Sequence, residues 1–135
     1  MKLTRLHITT PEREFFDGDV ESVTLISTEG GLGVLADHMP TVVALNAAPL
    51  RFKAGGQWRE AALSGGFAVI ENERVSILSD TAEWPEEIEV NRALEAKRRA
   101  EERIRARQSE VEYIRSTIAL QRALTRLAVS KREAK

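Results

Sequence analysis

Two histidines, His7 and His38, and no cysteine make up the chain's whole supply of imidazole and thiol chemistry. That supply cannot assemble a zinc cluster or a Cys–His pair. Asp37 and His38 are adjacent, and neighbours on a loop seldom face one substrate atom, so they make a poor acid/base pair. Ser64 lies in Leu63-Ser-Gly-Gly-Phe67, which lacks the nucleophile-elbow pattern; its paired glycines read as close backbone packing. Glu29-Gly-Gly-Leu-Gly33 has phosphate-cradle glycines, but no Gly-Lys-Ser/Thr follows and no helix is expected there. That segment reads as a tight surface loop, and the chain does not read as an enzyme. The enzyme-class alternative is a small hydrolase using Asp37 and His38. It is eliminated if the purified chain has no activity that His38→Ala removes.

Guanidinium is what the sequence holds in quantity. Arg92, Arg99, Arg103, Arg115, Arg122 and Arg126 are spaced so that several converge across a folded helical hairpin. Guanidinium groups bind carboxylates and phosphates bidentately, so an acidic protein surface and a nucleotide both suit them. Nucleic acid suits them poorly. Tyr113 is the single aromatic after position 85, and nine glutamates dilute the field there.

The elements that must position these groups change character at Pro85. All eight glycines and all four prolines lie at or before it, so turn-rich structure gives way to long helix. Before it, Val23 and Leu25 alternate with Ser22 and Thr24. Phe67 and Val69 share a face and are answered by Val75 and Ile77 across a polar turn at residues 71–74. Gly55-Gly56 separates candidate strands at 50–53 and 57–62, and paired glycines supply the positive φ of a two-residue hairpin turn. Six of seven aromatics fall in this part, which places the main core there. Residues 1–85 therefore read as a small β sandwich or barrel.

After it, Pro85-Glu86-Glu87 reads as a helix start, with proline at the first position and carboxylates near the positive end of the dipole. Val90, Ala93, Leu94, Ala100 and Ile104 give one stripe. Val111, Ile114, Ile118, Leu120, Leu124 and Leu127 give a second. Between them, Ser109 with Glu112 makes a capping-box signature. Residues 86–135 thus read as a two-helix hairpin with exposed pairs such as Glu95–Arg99 and Glu101–Arg105. The stripes are narrow and alanine-rich, so the hairpin must dock elsewhere to be stable.

Charge separates along the same line. Residues 86–135 hold 13 Lys/Arg against 9 Glu, and residues 1–85 hold 7 against 12 Asp/Glu, giving +4 and −5. The arm is expected to meet something acidic or anionic. No stretch approaches the roughly 18 apolar residues of a membrane span, and the N-terminus lacks a signal-peptide pattern. The absence of cysteine is consistent with a cytoplasmic home.

Taken in order, Glu29-Gly-Gly-Leu-Gly-Val-Leu-Ala-Asp-His38-Met-Pro40, Leu63-Ser-Gly-Gly-Phe67, the junction near Pro85 and Ala119-Leu-Gln-Arg122-Ala-Leu-Thr-Arg126-Leu127 resemble the epsilon subunit of bacterial and plastid F-type ATP synthase. The resemblance runs across nearly the whole chain. It implies a ten-stranded β-sandwich head at 1–85 followed by an antiparallel two-helix hairpin at 86–135. It implies a non-catalytic rotor subunit of the central stalk. That subunit helps couple proton translocation to ATP synthesis and sits peripherally at the cytoplasmic membrane face through the complex. The head then binds the gamma subunit and the c-subunit ring, with Glu29, Gly31 and His38 towards the ring. Gly31 stands where many relatives carry an acidic residue.

The resemblance also implies a switch. Folded, the arm permits hydrolysis; extended, its basic residues meet an acidic segment of the beta subunit and block it, with Arg115, Arg122 and Arg126 as the candidate contacts. Some relatives bind ATP in the folded state through an Ile/Leu-Asp-x-x-Arg-Ala motif. The matching stretch here comprises Ile88, Glu89, Arg92 and Ala93, with Glu89 in place of the aspartate and Arg122 and Arg126 within reach of phosphate. The resemblance to those relatives implies no required cofactor and ATP as a regulatory ligand. The alternative is a β domain whose arm inserts into another machine, such as RNA polymerase. The arginine-led tip at 105–110 disfavours it, because such arms usually end in acidic residues.

Overall fold

A computed structural model describes residues 3–27, 30–34 and 41–133. Ten strands come first: β1 (Thr4–Thr9), β2 (Glu14–Val20), β3 (Ser22–Ser27), β4 (Gly30–Val34), β5 (Thr41–Leu45), β6 (Ala48–Ala54), β7 (Gln57–Leu63), β8 (Gly66–Glu71), β9 (Arg74–Ser79) and β10 (Ala82–Glu83). A 3-10 turn at Pro85–Glu87 leads to α1 (Val90–Ala106) and α2 (Glu110–Glu133). The strand order is β10-β7-β6-β3-β5-β8-β9-β1-β2, with β4 also paired to β3. Antiparallel pairs dominate, and β1 runs parallel to β9. The sheet folds over where β3 meets β5 through one residue pair, Ser27 with Leu45. Two layers result, and the core fills the space between them. Val23, Leu25, Leu50, Phe52, Ala61 and Leu63 meet Leu6, Ile8, Ala68, Ile70, Val75 and Ile77 there, all of them buried. The ten-stranded sandwich followed by two helices is the architecture that the resemblance implied.

An aromatic group closes one end of the sandwich. Phe15 stacks on Trp84 with centroids 4.2 Å apart, and Phe16 lies 4.7 Å from Phe52. The Arg59 guanidinium sits 4.1 Å over the Trp84 ring. Trp84 immediately precedes the helical part, so the head's packing fixes where the arm begins.

Two glycine pairs earn their positions differently. Gly55 (φ 58°) and Gly56 (φ 78°) form the β6–β7 turn in left-handed backbone, as the hairpin reading required. Gly66 has φ 149°, and a Cβ there would lie 2.0 Å from the Leu78 carbonyl oxygen. Close backbone packing is therefore its role.

Four expectations need correcting. The β8–β9 hairpin exists, but Val75 pairs with Ile70 and Ile77 with Ala68. Phe67 and Val69 point outward, because the two-residue turn at 72–73 sets the opposite parity. Gly30–Val34 is a strand, not a surface loop; the ladder to β3 supplies what glycine's poor strand propensity does not. The helix does not start at Pro85. That proline opens one 3-10 turn, after which Ile88 and Glu89 are extended and α1 begins at Val90. Finally, Arg98 pairs with both Glu95 and Glu102 and takes the place of the expected Glu95–Arg99 and Glu101–Arg105 pairs.

The helices form an antiparallel pair, and α2 alone makes the principal contacts with the head, on β6, β7 and the 3-10 turn. The buried residues of α1 are Ala93 and Ala100, and those of α2 are Ser116, Ala123, Thr125, Leu127 and Val129, most of them small. Val90, Leu94, Val111, Ile114, Ile118 and Leu124, members of the two apolar stripes, are exposed. Small residues let the axes approach but bury little area, so the pair gains little at about 25 cal/mol per Å². At the tip, Arg107 adopts left-handed backbone (φ 39°), with its guanidinium 4.4 Å over the Tyr113 ring and 3.6 Å from Glu110. Ser109 Oγ then accepts the Glu112 amide at 3.1 Å and starts α2 where its cap was expected.

Candidate functional site: an arginine–carboxylate cavity between head and arm

Where α2 crosses the head it leaves a cavity of about 650 Å³. Its charged walls include Arg13, Asp80, Glu83 and Glu87 from the head side and Arg122 and Arg126 from α2. The two α2 arginines sit four residues apart, about one helical turn, so both line the same cavity. Arg126 Nη2 donates to Glu83 Oε2 at 3.0 Å, and its Nε lies 2.7 Å from Oε1. Arg122 stands 3.7 Å from Asp80, and that pair is mostly exposed. Beneath them Val129 packs with Ala62 and Ile88 in a small buried cluster. The arm is thus held by one apolar contact group, one half-buried ion pair and one exposed pair, which is worth at most about 1 kcal/mol.

A second set of bonds closes the cavity's floor. Arg13 follows a turn locked by Thr10, whose Oγ1 accepts the Glu12 and Arg13 amides. Its guanidinium grips Glu87 bidentately at 2.8 and 2.9 Å and also donates to the Ala82 carbonyl at 3.0 Å. Glu87 Oε1 accepts the Trp84 amide at 2.8 Å as well. The Arg13 hydrogen bonds hold the Glu87 carboxyl below its usual range, with the Trp84 amide assisting and burial opposing. The same pair pushes the Arg13 guanidinium further up.

The structure divides the residues singled out in the sequence. Arg122 and Arg126 come together in the cavity. Ile88, Glu89, Arg92 and Ala93 are not among its walls. Ile88 is buried under α2, Ala93 is buried in α1, and Glu89 and Arg92 are exposed. Ile88 and Glu89 lie in extended backbone between the 3-10 turn and α1. Arg115 is exposed on α2. Gly31 lies in β4, and Glu29 and His38 fall outside the described residues.

Sequence reasoning missed Arg13, Asp80, Glu83 and Glu87. The charge asymmetry held the signal: the acidic partner of the basic arm is, in this state, the head itself. Among the described residues one group resembles a metal site, His7 with Glu14 and Asp17. Arg5 already engages Asp17 at 2.8 Å, so that carboxylate's charge is met.

The opposite face of the sandwich carries a different surface. Val42, Phe67 and Leu78 project from adjacent strands β5, β8 and β9 and are 69%, 47% and 46% exposed. His7 and Thr9 on β1 border this apolar patch on the same face.

Comparison with known proteins decides the family. The family description "ATP synthase, Delta/Epsilon chain, beta-sandwich domain" matches residues 3–85, and "long alpha-helix domain" of the same chain matches residues 86–131. The chain belongs to the ATP synthase delta/epsilon family. An ATP synthase epsilon chain of Ruminiclostridium cellulolyticum is 51% identical over 127 residues, covering 94% of this chain and 95% of that one. One of Bacillus licheniformis is 43% identical over 131 residues, covering 97% and 100%. A chain in the Euglena gracilis mitochondrial ATP synthase assembly of OSCP, F1 and c-ring superposes with a TM-score of 0.82 at 27% identity, covering 95% of this chain and 81% of that chain. Membership in the delta/epsilon family makes this a non-catalytic ATP synthase subunit and sets aside the RNA polymerase alternative. Among the described residues no helix is long and apolar enough to cross a membrane.

Proposed function

We propose that the chain is a central-stalk rotor subunit. Its head docks through the Val42–Phe67–Leu78 face on the gamma subunit and through the 29–38 region on the c-ring. Its arm restrains ATP hydrolysis when it leaves the head. An exposed apolar patch rimmed by polar residues is what a stable partner surface requires. The patch lies on one layer and the arm on the other, so a partner can hold the head while the arm moves. Such a subunit meets the membrane sector only through the complex, on the cytoplasmic face.

The observation that carries the regulatory half is the occupancy of Arg122 and Arg126. Folded, Arg126 is engaged by Glu83 and Arg122 stands 3.7 Å from Asp80. Released, both arginines are free for carboxylates elsewhere, and with Arg115 they are the residues we assign to an acidic segment of the beta subunit. An arm docked on the head cannot also reach the beta subunit, so the two states exclude each other. The test is hydrolysis by the assembled complex with this chain cut after residue 85. We expect faster hydrolysis than with the intact chain; equal or slower rates refute an inhibitory arm.

ATP is the ligand we propose for the folded state, with its phosphates on Arg122 and Arg126 and with Ile88, Glu89, Arg92 and Ala93 as the matching motif. Binding only the folded arm, it stabilises that arm by linkage and relieves inhibition. Calorimetric titration of the chain should show binding that Arg126→Ala and Arg92→Ala weaken. No heat up to millimolar ATP removes the nucleotide from this account.

A further inference from the structure

We infer that Arg13 is the anchor of the arm's hinge: it clamps Glu87 to the head so that the moving part begins at Ile88–Glu89. The inference rests on the mobile-arm reading and adds where the movement starts.

The geometry is specific. Arg13 makes three hydrogen bonds across some seventy residues of sequence, two to Glu87 and one to the Ala82 carbonyl. Its guanidinium also lies 5.0 Å over Phe15, which stacks on Trp84. The turn that presents it is fixed by Thr10, which takes two amides on its hydroxyl and donates to the Arg13 carbonyl. On the other side, Glu87 is tied to Trp84 twice, through its carboxylate and through its own amide. The 3-10 turn is therefore bound at both ends to the aromatic group of the head.

Everything after it is bound differently. Ile88 and Glu89 are extended, Glu89 provides no side-chain cap to α1, and α1 packs on α2. Ile88 is buried in the cluster that joins Ala62 of β7 to Val129 of α2, and its amide donates to the Pro85 carbonyl at 3.2 Å. When α2 leaves, Ile88 loses the Val129 side of that cover, while the Arg13–Glu87 clamp, made wholly within the head side, stays intact. The clamp thus separates a fixed turn from a movable arm at one peptide position. It also sits beside the latch, because Ala82 and Glu83 are consecutive: one receives Arg13 and the other Arg126. Without the clamp the three residues 85–87 would join the tether and lengthen it by roughly 10 Å at full extension.

The test uses the full chain, in which the absence of cysteine leaves introduced cysteines as unique label sites. Spin labels at positions 71 and 121 report arm position, and hydrogen exchange reports the Trp84, Glu87 and Ile88 amides. In Arg122→Ala/Arg126→Ala we expect a longer, broader label distance, with the Trp84 and Glu87 amides still protected. Adding Arg13→Ala should raise their exchange about tenfold, as loss of a bidentate charged pair implies, and Arg13→Lys should restore part of it. Arg13→Ala alone should show the same exchange increase with the arm docked, which tests the clamp without any arm movement. Loss of protection at Trp84 and Glu87 on arm release, with Arg13 intact, overturns the hinge assignment. An unchanged label distance in the double variant instead overturns the mobile-arm reading, and the hinge falls with it.

Discussion

Replacing Gly66 by alanine should cost the head far more than the same change ten residues earlier. The new Cβ would meet the Leu78 carbonyl oxygen at 2.0 Å, with the Leu78 carbon and Ser79 Cα each at 3.0 Å. All three are backbone atoms, so no side chain can swing aside. Relief needs β8 and β9 to part by about an ångström or more, at the position where Gly66 pairs with both Ser79 and Leu45. Losing roughly two ladder hydrogen bonds costs about 2 kcal/mol net. A non-glycine residue in positive-φ backbone adds about 1–2 kcal/mol. The sum is about 3–4 kcal/mol. Gly56 is the internal control: its φ is also positive (78°), but a Cβ there meets nothing within 4 Å. Gly56→Ala should therefore cost only the backbone share, about 1–2 kcal/mol. Urea unfolding followed by Trp58 and Trp84 fluorescence reads both, because both indoles belong to the head. The difference should separate the two midpoints by about 1 M for ordinary denaturant slopes. Equal midpoints would refute the close-approach account of the Ser-Gly-Gly-Phe segment.

Three further outcomes follow from the arm and its junction. Val129→Asp buries a charge against Ala62 and Ile88 and should undock α2 while the head stays folded, seen as label separation without loss of the β-sheet circular dichroism signal. Ser109→Ala removes the acceptor of the Glu112 amide and should cost the hairpin about 1 kcal/mol, measured as helicity lost at lower temperature. The Glu87 carboxyl is held below its usual range when folded, so the clamp contributes fully above the unfolded carboxylate pKa of about 4 and fades as pH falls through the lower folded value. The stability gap between the native chain and Arg13→Gln should accordingly be widest near neutral pH and close in acid; a gap that widens in acid would contradict the assignment.

The change from strand to helix near Pro85 and the Gly55-Gly56 hairpin were legible because glycine and proline act locally. What was not legible depended on neighbours distant in sequence. The β8–β9 register was misread by one residue, since Phe67 and Val69 look like core by type yet sit on an exposed face. That failure is informative: a sequence departs from inside-out patterning where the surface has a use. The helix start was misplaced because Glu87, a good first-turn residue, is taken by Arg13 from 74 positions away. The arginines of the arm were recognised as anion seekers, but their folded partners were not, because Asp80 and Glu83 reach them only after the sandwich closes. Nothing in the spacing of Ile88, Glu89, Arg92 and Ala93 shows that the backbone would straighten between the first pair and the second.

The bend at Arg107 carries a consequence for the arm as a mechanical part. Left-handed backbone costs a non-glycine residue about 1–2 kcal/mol, and a helix end usually spends a glycine there. Here an arginine holds the corner, and its ring stacking and its charge near Glu110 offset the cost. The hairpin is therefore folded like a sprung clip whose catch is a single side chain at the tip. The corner rests on one side chain, and the turn that sets α2 back along α1 depends on Arg107 keeping its contacts with Tyr113 and Glu110.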